Sequence, residues 1–201
     1  MPKIAYSEPE RERIRESLID VGLELFAKQG IQHTTVEQIY VQVGISRTFF
    51  YSFFPAKEDL VIQAFYRQQP RLLAYAQELM NTPGLSWRDG VGQFFQTACY
   101  GGHSRFAIMT VEDQQALSKC LSEGSREEFQ KRRLIFFAEL LDIFGIHGEA
   151  QTVKLLANLL FGTVILHKAI PDTLPFLFQD ASDEMTQFQI EAVLNYMETL
   201  H

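Results

Sequence analysis

The stretch Thr34–Lys57, TTVEQIYVQVGISRTFFYSFFPAK, constrains what this chain can fold into more than any other. Thr35 followed by Gln38 reads as a capping box, and Val36, Ile39, Tyr40 and Val43 then recur at helical spacing. Gly44 breaks that helix, Ile45 plugs the turn into a core, and Ser46 caps a second helix over about 47–54. Two short helices joined by a tight turn make a helix-turn-helix, the unit that lays its second helix in a DNA major groove. A helix so short has little stability of its own, so packing against the surrounding chain must hold it.

That surrounding chain begins with another helix. Ser7 is its N-cap and Pro9 suits its first turn, while Ile14, Leu18, Val21, Leu25 and Phe26 mark one buried face up to a stop at Gly30. Arg11, Glu12, Arg13, Arg15 and Glu16 read as its solvated face, laced by i,i+4 pairs. In the third helix Phe50 and Phe54 point into the core, which leaves Arg47, Thr48, Phe49, Ser52 and Phe53 outside. An exposed Phe pair beside an Arg is poor surface unless that surface meets something. Against a major groove, Arg47 can donate twice to guanine, Thr48 can bond a base or phosphate, and Phe49 can pack on a thymine methyl. Tyr51 and Lys57 flank the helix and suit phosphates, Lys57 at a helix start where free N–H groups also attract anions.

The segment LELFAKQGIQHTTVEQIYVQVGISRTFFYSFFPAKEDL resembles the N-terminal domain of TetR-type transcriptional regulators. The matching marks are Leu25-Phe26, Gly30, Thr34-Thr35-Val36, Ile39, Gly44-Ile45-Ser46, Tyr51, Phe54 and Lys57-Glu58-Asp59-Leu60, in register without a gap. The resemblance implies an all-α homodimer, with a three-helix DNA reader over residues 1–54 and a larger helical effector and dimerisation domain over 55–201. It assigns Thr35, Tyr51 and Lys57 to phosphates and Arg47, Thr48 and Phe49 to base edges, with Ser46 and Ser52 on the same DNA-binding face. Two positions depart from the family pattern: Tyr40 replaces a small Ala, and Phe53 stands where a His or Tyr often reaches a phosphate.

Charge limits how such a reader can bind. The chain carries a net charge of −7, and residues 1–60 hold seven Lys/Arg against nine Asp/Glu. A general nucleic-acid coat or a polybasic membrane binder is therefore excluded, and DNA binding must rest on a few placed contacts. Two cysteines, Cys99 and Cys120, set no disulfide framework and fit a reducing cytosol. The first sixteen residues show no secretory h-region. The apolar run Leu155–Ala169 falls short of the ~20 residues of a bilayer span. The expectation is a cytoplasmic protein with no membrane segment.

Beyond the reader, a fourth helix opens near Pro55 and is interrupted at Pro70, either as a tolerated kink or break or as a hinge. Ser86 with Asp89 opens a fifth helix, residues 103–122 form a less regular link with helical pieces, and Ser125 with Glu128 caps a long helix through Phe144. Two further helices cover about 149–168 and 183–200. The first is apolar nearly all round, with Ala157 and Gly162 permitting close approach, so the pair is expected to form a four-helix dimer interface. Such a dimer would set two readers one DNA turn apart, roughly 34–36 Å, on a near-palindromic operator.

No Gly-rich phosphate loop, nucleophile elbow or HExxH is present, so neither an enzyme nor a cofactor is expected. Cys99, His103, Glu112, Asp113 and Cys120 match no zinc spacing, and no metal is expected. Aromatic and polar residues of the C-terminal body, Phe94, Phe95, Tyr100, His103, Phe106, Met109, Phe136 and Phe137, are candidates for a site taking a small apolar or aromatic effector. The reading is a sequence-specific DNA-binding regulator, a repressor released by such an effector. The alternative is a ligand-independent DNA-binding dimer whose C-terminal body binds a protein partner.

Overall fold

The structure is a computed structural model that describes residues 6–101, 106–170 and 174–201. The all-α expectation holds: every regular element among the described residues is helical. The helices are α1 (Glu8–Gln29), α2 (Val36–Val43), α3 (Arg47–Phe50), α4 (Lys57–Met80), α5 (Trp87–Tyr100), α6 (Val111–Cys120), α7 (Glu123–Ile143), α8 (Ala150–Ala169) and α9 (Ser182–Glu198). A 3-10 turn, Gln179–Ala181, leads into α9.

Packing divides the described residues into two compact units. The first takes residues 6–68 with 106–108, and the second takes 69–101 with 109 onward. The division thus falls inside α4, after Gln68, and not at residue 54 where the reader's own helices end.

The first unit is built on α1. Leu18, Ile19, Leu23 and Phe26 are buried on it, together with Ile39 of α2, Phe50 and Phe54 around α3, and Leu60, Val61 and Ala64 of α4. Arg67 of α4 ion-pairs with Glu16 and reaches Asp20 of α1 at 3.5 Å, while Arg15 donates to Gln63 at 3.3 Å. Gln68 is buried and exchanges two hydrogen bonds with the backbone of Ala107, at 3.0 and 2.6 Å. A side-chain amide can satisfy both groups of one peptide in this way, which ties residues 106–108 into the unit.

In the second unit α5, α7, α8 and α9 pack on one another. Phe95, Leu140, Leu141, Phe144, Leu156, Ile190 and Met197 are among its most buried side chains. Arg88 of α5 gathers three acceptors on α9, bonding Glu191, Asn195 at 2.8 Å and Glu198 at 2.6 Å. By length and composition α8 could cross a membrane, because the helix extends past the apolar run to 20 residues. It packs against α5, α7 and α9 on one side, with a third of that apolar window buried within the chain.

Three expectations change. Residues 103–122 contain a full helix, α6, capped by Thr110, whose backbone N–H reaches Asp113 at 2.9 Å while Asp113 N–H returns to its hydroxyl at 3.2 Å. α7 starts one turn before Ser125: Ser122 is the cap, accepting from Ser125 N–H at 3.2 Å. Glu128 is then free to pair with Arg132 at 2.7 Å, one turn further on. With two serines three apart, the earlier one wins because it adds a turn to the helix. Finally, α4 runs through Pro70 unbroken. Pro70 is exposed, so the missing N–H lies where water can reach the affected turn. Pro70→Ala should raise the unfolding free energy by about 1–3 kcal/mol, read from the urea midpoint at constant m-value.

Candidate nucleic-acid interface

The turn between α2 and α3 is fixed by local chemistry. Thr35 accepts from Gln38 N–H at 3.2 Å, and the Gln38 side chain accepts from Thr35 N–H at 2.8 Å, closing the capping box. Gly44 sits at φ 80, ψ 29, the left-handed conformation that a side chain disfavours, and the chain reverses there. Ile45 N–H bonds the Tyr40 carbonyl at 3.0 Å, and the Ser46 hydroxyl accepts from Phe49 N–H at 3.2 Å to start α3. The helix proper ends at Phe50, and residues 51–53 continue as turns, so it is shorter than the eight residues expected.

Thr35, Ser46, Arg47, Thr48, Tyr51 and Ser52 are all exposed. The Arg47 guanidinium lies 5.8 Å from the centre of the Tyr51 ring, so the two side chains stand together at the surface. The Ser52 hydroxyl donates to the Phe49 carbonyl at 2.7 Å, which commits its proton locally and leaves its oxygen as an acceptor.

Phe49 and Phe53 are not the bare pair the sequence pattern implies; both are half-buried. Tyr6, just before α1, stacks on Phe49 with ring centroids 4.7 Å apart and an 18° interplanar angle. Phe53 meets Phe49 edge-on at 4.9 Å. The Arg11 guanidinium lies 5.5 Å from the centre of Phe49 and 4.8 Å from that of Phe53. Arg11 is therefore not simply part of a solvated face. A cation over two rings contributes about 0.5–1 kcal/mol at a surface, enough to favour one Phe49 orientation. Tyr6 and Arg11 escape sequence reasoning because their partners lie some forty residues away; the only signal was an apolar pair that lacked a cover.

Lys57 also differs from its expected role. It is half-buried, and its ammonium donates to the Ile31 carbonyl in the turn before α2. An ammonium has three donors, so this bond fixes the α1–α2 turn without excluding a phosphate.

Of the C-terminal candidates, Phe94, Phe95, Met109 and Phe137 are buried in the second unit, and Phe136 is half-buried. Phe94 packs between Tyr75, stacked at 6.0 Å, and Phe144, edge-on at 5.5 Å. Phe136 and Phe137 meet edge-on at 5.2 Å. Phe106 belongs to the first unit and is half-buried. His103 lies outside the described residues.

Tyr100 is exposed and its ring faces His167 at 4.5 Å, with His167 Nδ1 3.1 Å from the buried Thr186 hydroxyl. Partial loss of solvent is the main reason that Tyr100 titrates above its ordinary range and His167 below. Burial likewise pushes the Cys99 thiol up to about 11, whereas Cys120 is exposed, on α6.

Residues 18–64 match the family model for bacterial regulatory proteins of the tetR family. The chain is 24% identical over 142 residues to an uncharacterized HTH-type transcriptional regulator, YuxN of Bacillus subtilis (strain 168), covering 69% of this chain and 48% of that protein. It is 44% identical over 50 residues to the HTH-type transcriptional regulator TcmR of Streptomyces glaucescens, covering 25% of this chain and 22% of TcmR. The chain thus spans half or less of the length of these relatives, and both are named as regulators, not enzymes. Among solved structures it resembles a TetR-family transcriptional regulator from Cytophaga hutchinsonii, at TM-score 0.61 and 14% identity over 98% of each chain. It also resembles the reduced form of E. coli NemR, at TM-score 0.56 and 17% identity over 94% of this chain and 96% of that one. At such identities these structures support the fold alone.

If Lys57 holds the α1–α2 turn, Lys57→Met should lower the free protein's unfolding free energy by about 1–3 kcal/mol in urea denaturation. A side chain that served phosphates alone would leave that stability unchanged.

Proposed function

We propose that this chain, whose residues 18–64 match the family model for bacterial regulatory proteins of the tetR family, is a cytoplasmic, homodimeric repressor of that family that binds a near-palindromic operator and is released by a small effector. The observation that carries the DNA-binding part is the surface left by α2 and α3. Arg47, Thr48 and Tyr51 are exposed on a helix-turn-helix whose fold is already satisfied by its own caps and core. Arg47 reads base edges, Thr48 reads a base or phosphate, and Phe49, held by Tyr6 and Arg11, offers its apolar edge to a thymine methyl. Thr35, Ser46, Tyr51, Ser52 and Lys57 serve the phosphates, with helix N-termini adding N–H donors.

The dimer reading draws on α8 and α9. Leu155 is 43% exposed, Gly162 has open space where a side chain would stand, and Phe188 of α9 is 74% exposed. Burying about 25 cal/mol per Å2 of such surface is the ordinary driving force for a four-helix interface. The exposed glycine would let the second copy's backbone come close.

Arg47→Ala combined with Tyr51→Phe should abolish a specific footprint on selected operator DNA while circular dichroism stays unchanged. Loss of one bidentate base contact alone costs about 1–3 kcal/mol. An undiminished footprint would remove this face from the reading. Leu155→Glu and Phe188→Glu should each shift sedimentation from dimer to monomer and weaken operator binding with it, because charge placed in an apolar interface is not readily paired.

A further inference from the structure

Arg133 occupies the core-facing stripe of α7, one turn before the buried Phe137 and two before Leu140 and Leu141. It is half-buried, with its guanidinium carbon 4.7 Å from the centre of the Phe161 ring on α8 and 6.0 Å from that of Phe137. Partial loss of solvent lowers its pKa from the ordinary arginine value. Other arginines of this unit have oxygen partners. Arg132 pairs with Glu128 at 2.7 Å, Arg126 donates to the Ser118 and Leu121 carbonyls, and Arg88 holds Glu191, Asn195 and Glu198. Arg133 has no such acceptor among the described residues.

A guanidinium carries five N–H donors in a planar fork, and ring faces cannot accept along that fork. The aromatic contacts offset part of the charge's desolvation, and the N–H donors, none of them buried, stay open to solvent and to an incoming acceptor. A structure that keeps a cation on a core stripe without an internal anion is arranged for an anion from outside. Lys154, exposed two turns before Phe161 on the same side of α8, adds positive charge to that flank. The single fork and its aromatic neighbours Phe137 and Phe161 fit a monoanion with an apolar body better than a dianionic phosphate, which needs more donors.

We propose that Arg133 is the anion-recognition residue of a small-molecule site at the α7–α8 packing, and that the site takes an aryl or alkyl carboxylic acid. The carboxylate accepts from the Arg133 fork while the apolar body lies against Phe137 and Phe161. This refines the apolar or aromatic effector expected from sequence to an acid. Only its regulatory consequence rests on the proposed repressor reading; the binding itself does not.

The test uses the full chain without DNA. Naphthalene-2-carboxylate and its neutral isostere naphthalene-2-carboxamide are titrated to millimolar concentration, with melting temperature and calorimetry as readouts and sedimentation as the control. The carboxylate should raise the melting temperature of the wild type and the carboxamide should not. Arg133→Met should weaken carboxylate binding at least tenfold, and Arg133→Lys should keep part of it. Arg133→Met should itself melt no lower than wild type, because it removes an unpaired charge and keeps the apolar stem. Equal response to the carboxamide, full response in Arg133→Met, or no response in the wild type would overturn the site. A destabilised or dissociated Arg133→Met protein would also overturn it, by showing that a carboxylate of a second copy already pairs with Arg133. A separate arm adds the carboxylate to the operator complex. Release from wild type but not from Arg133→Met supports the effector role, and binding without release retires that role while leaving the site.

Discussion

A helix of four residues closes a single hydrogen-bonded turn and has no stability of its own. Everything proposed for α3 therefore depends on the side chains that grip it. From beneath, Phe50 and Phe54 are anchored in the core that α1 supplies through Leu18, Leu23 and Phe26. From the side, Tyr6 and Arg11 cover Phe49 and Phe53. Behind, Lys57 ties the start of α4 to the Ile31 carbonyl in the turn that launches α2. α3 thus takes its direction from α1, and the two ends of α1 do different work. Its C-terminal half builds the core, and its N-terminal turn shapes the surface on which the reader presents itself.

The same arrangement accounts for how an acidic domain can still present a cation to DNA. Arg67 is engaged by Glu16 and Asp20, and Arg15 lies near Glu12, Glu16 and Gln63. Those charges serve the fold. Arg47 stands apart, exposed beside the Tyr51 ring. Where basic groups such as Arg15 and Arg67 are internally neutralised, fewer counterions would be released on binding, which would keep nonspecific affinity low and its salt dependence shallow. In the proposed dimer, discrimination would then rest on the base contacts that remain, and a modest change in reader spacing would empty the site.

Much of the first unit was legible from sequence because short-range chemistry encodes it. The Thr35–Gln38 box, the left-handed Gly44 and the Ser46 cap are decided within three or four residues, and each stands as read. The misreadings share a different origin. α7 offered two serines at equivalent spacing, and sequence alone did not choose Ser122 over Ser125. Pro70 looked like an interruption, yet its place on the exposed side lets α4 continue. Phe49 looked bare because its covers, Tyr6 and Arg11, are distant in sequence. The aromatic group chosen for an effector site was selected by residue type, and type does not separate a lining ring from a packed one. Phe95, at 1% exposure, is core.

What the folded chain leaves unmet is unevenly spread. In the first unit the apolar core is closed, and most of the charges near it have partners. The second unit keeps Phe176 at 97% exposure, Phe178 at 83% and Phe188 at 74%. It also holds the Arg133 fork without an oxygen acceptor among the described residues. Exposed rings and a half-buried cation without an internal anion are features of different kinds, and no single partner answers both. An apolar surface is relieved by another apolar surface, which a second copy can supply by symmetry. The guanidinium set beside rings would be answered, on the ligand proposal, by an anion that carries its own apolar body. The reader is complete in one chain, and the unmet groups of the C-terminal body are the ones that dimerisation and ligand binding would satisfy.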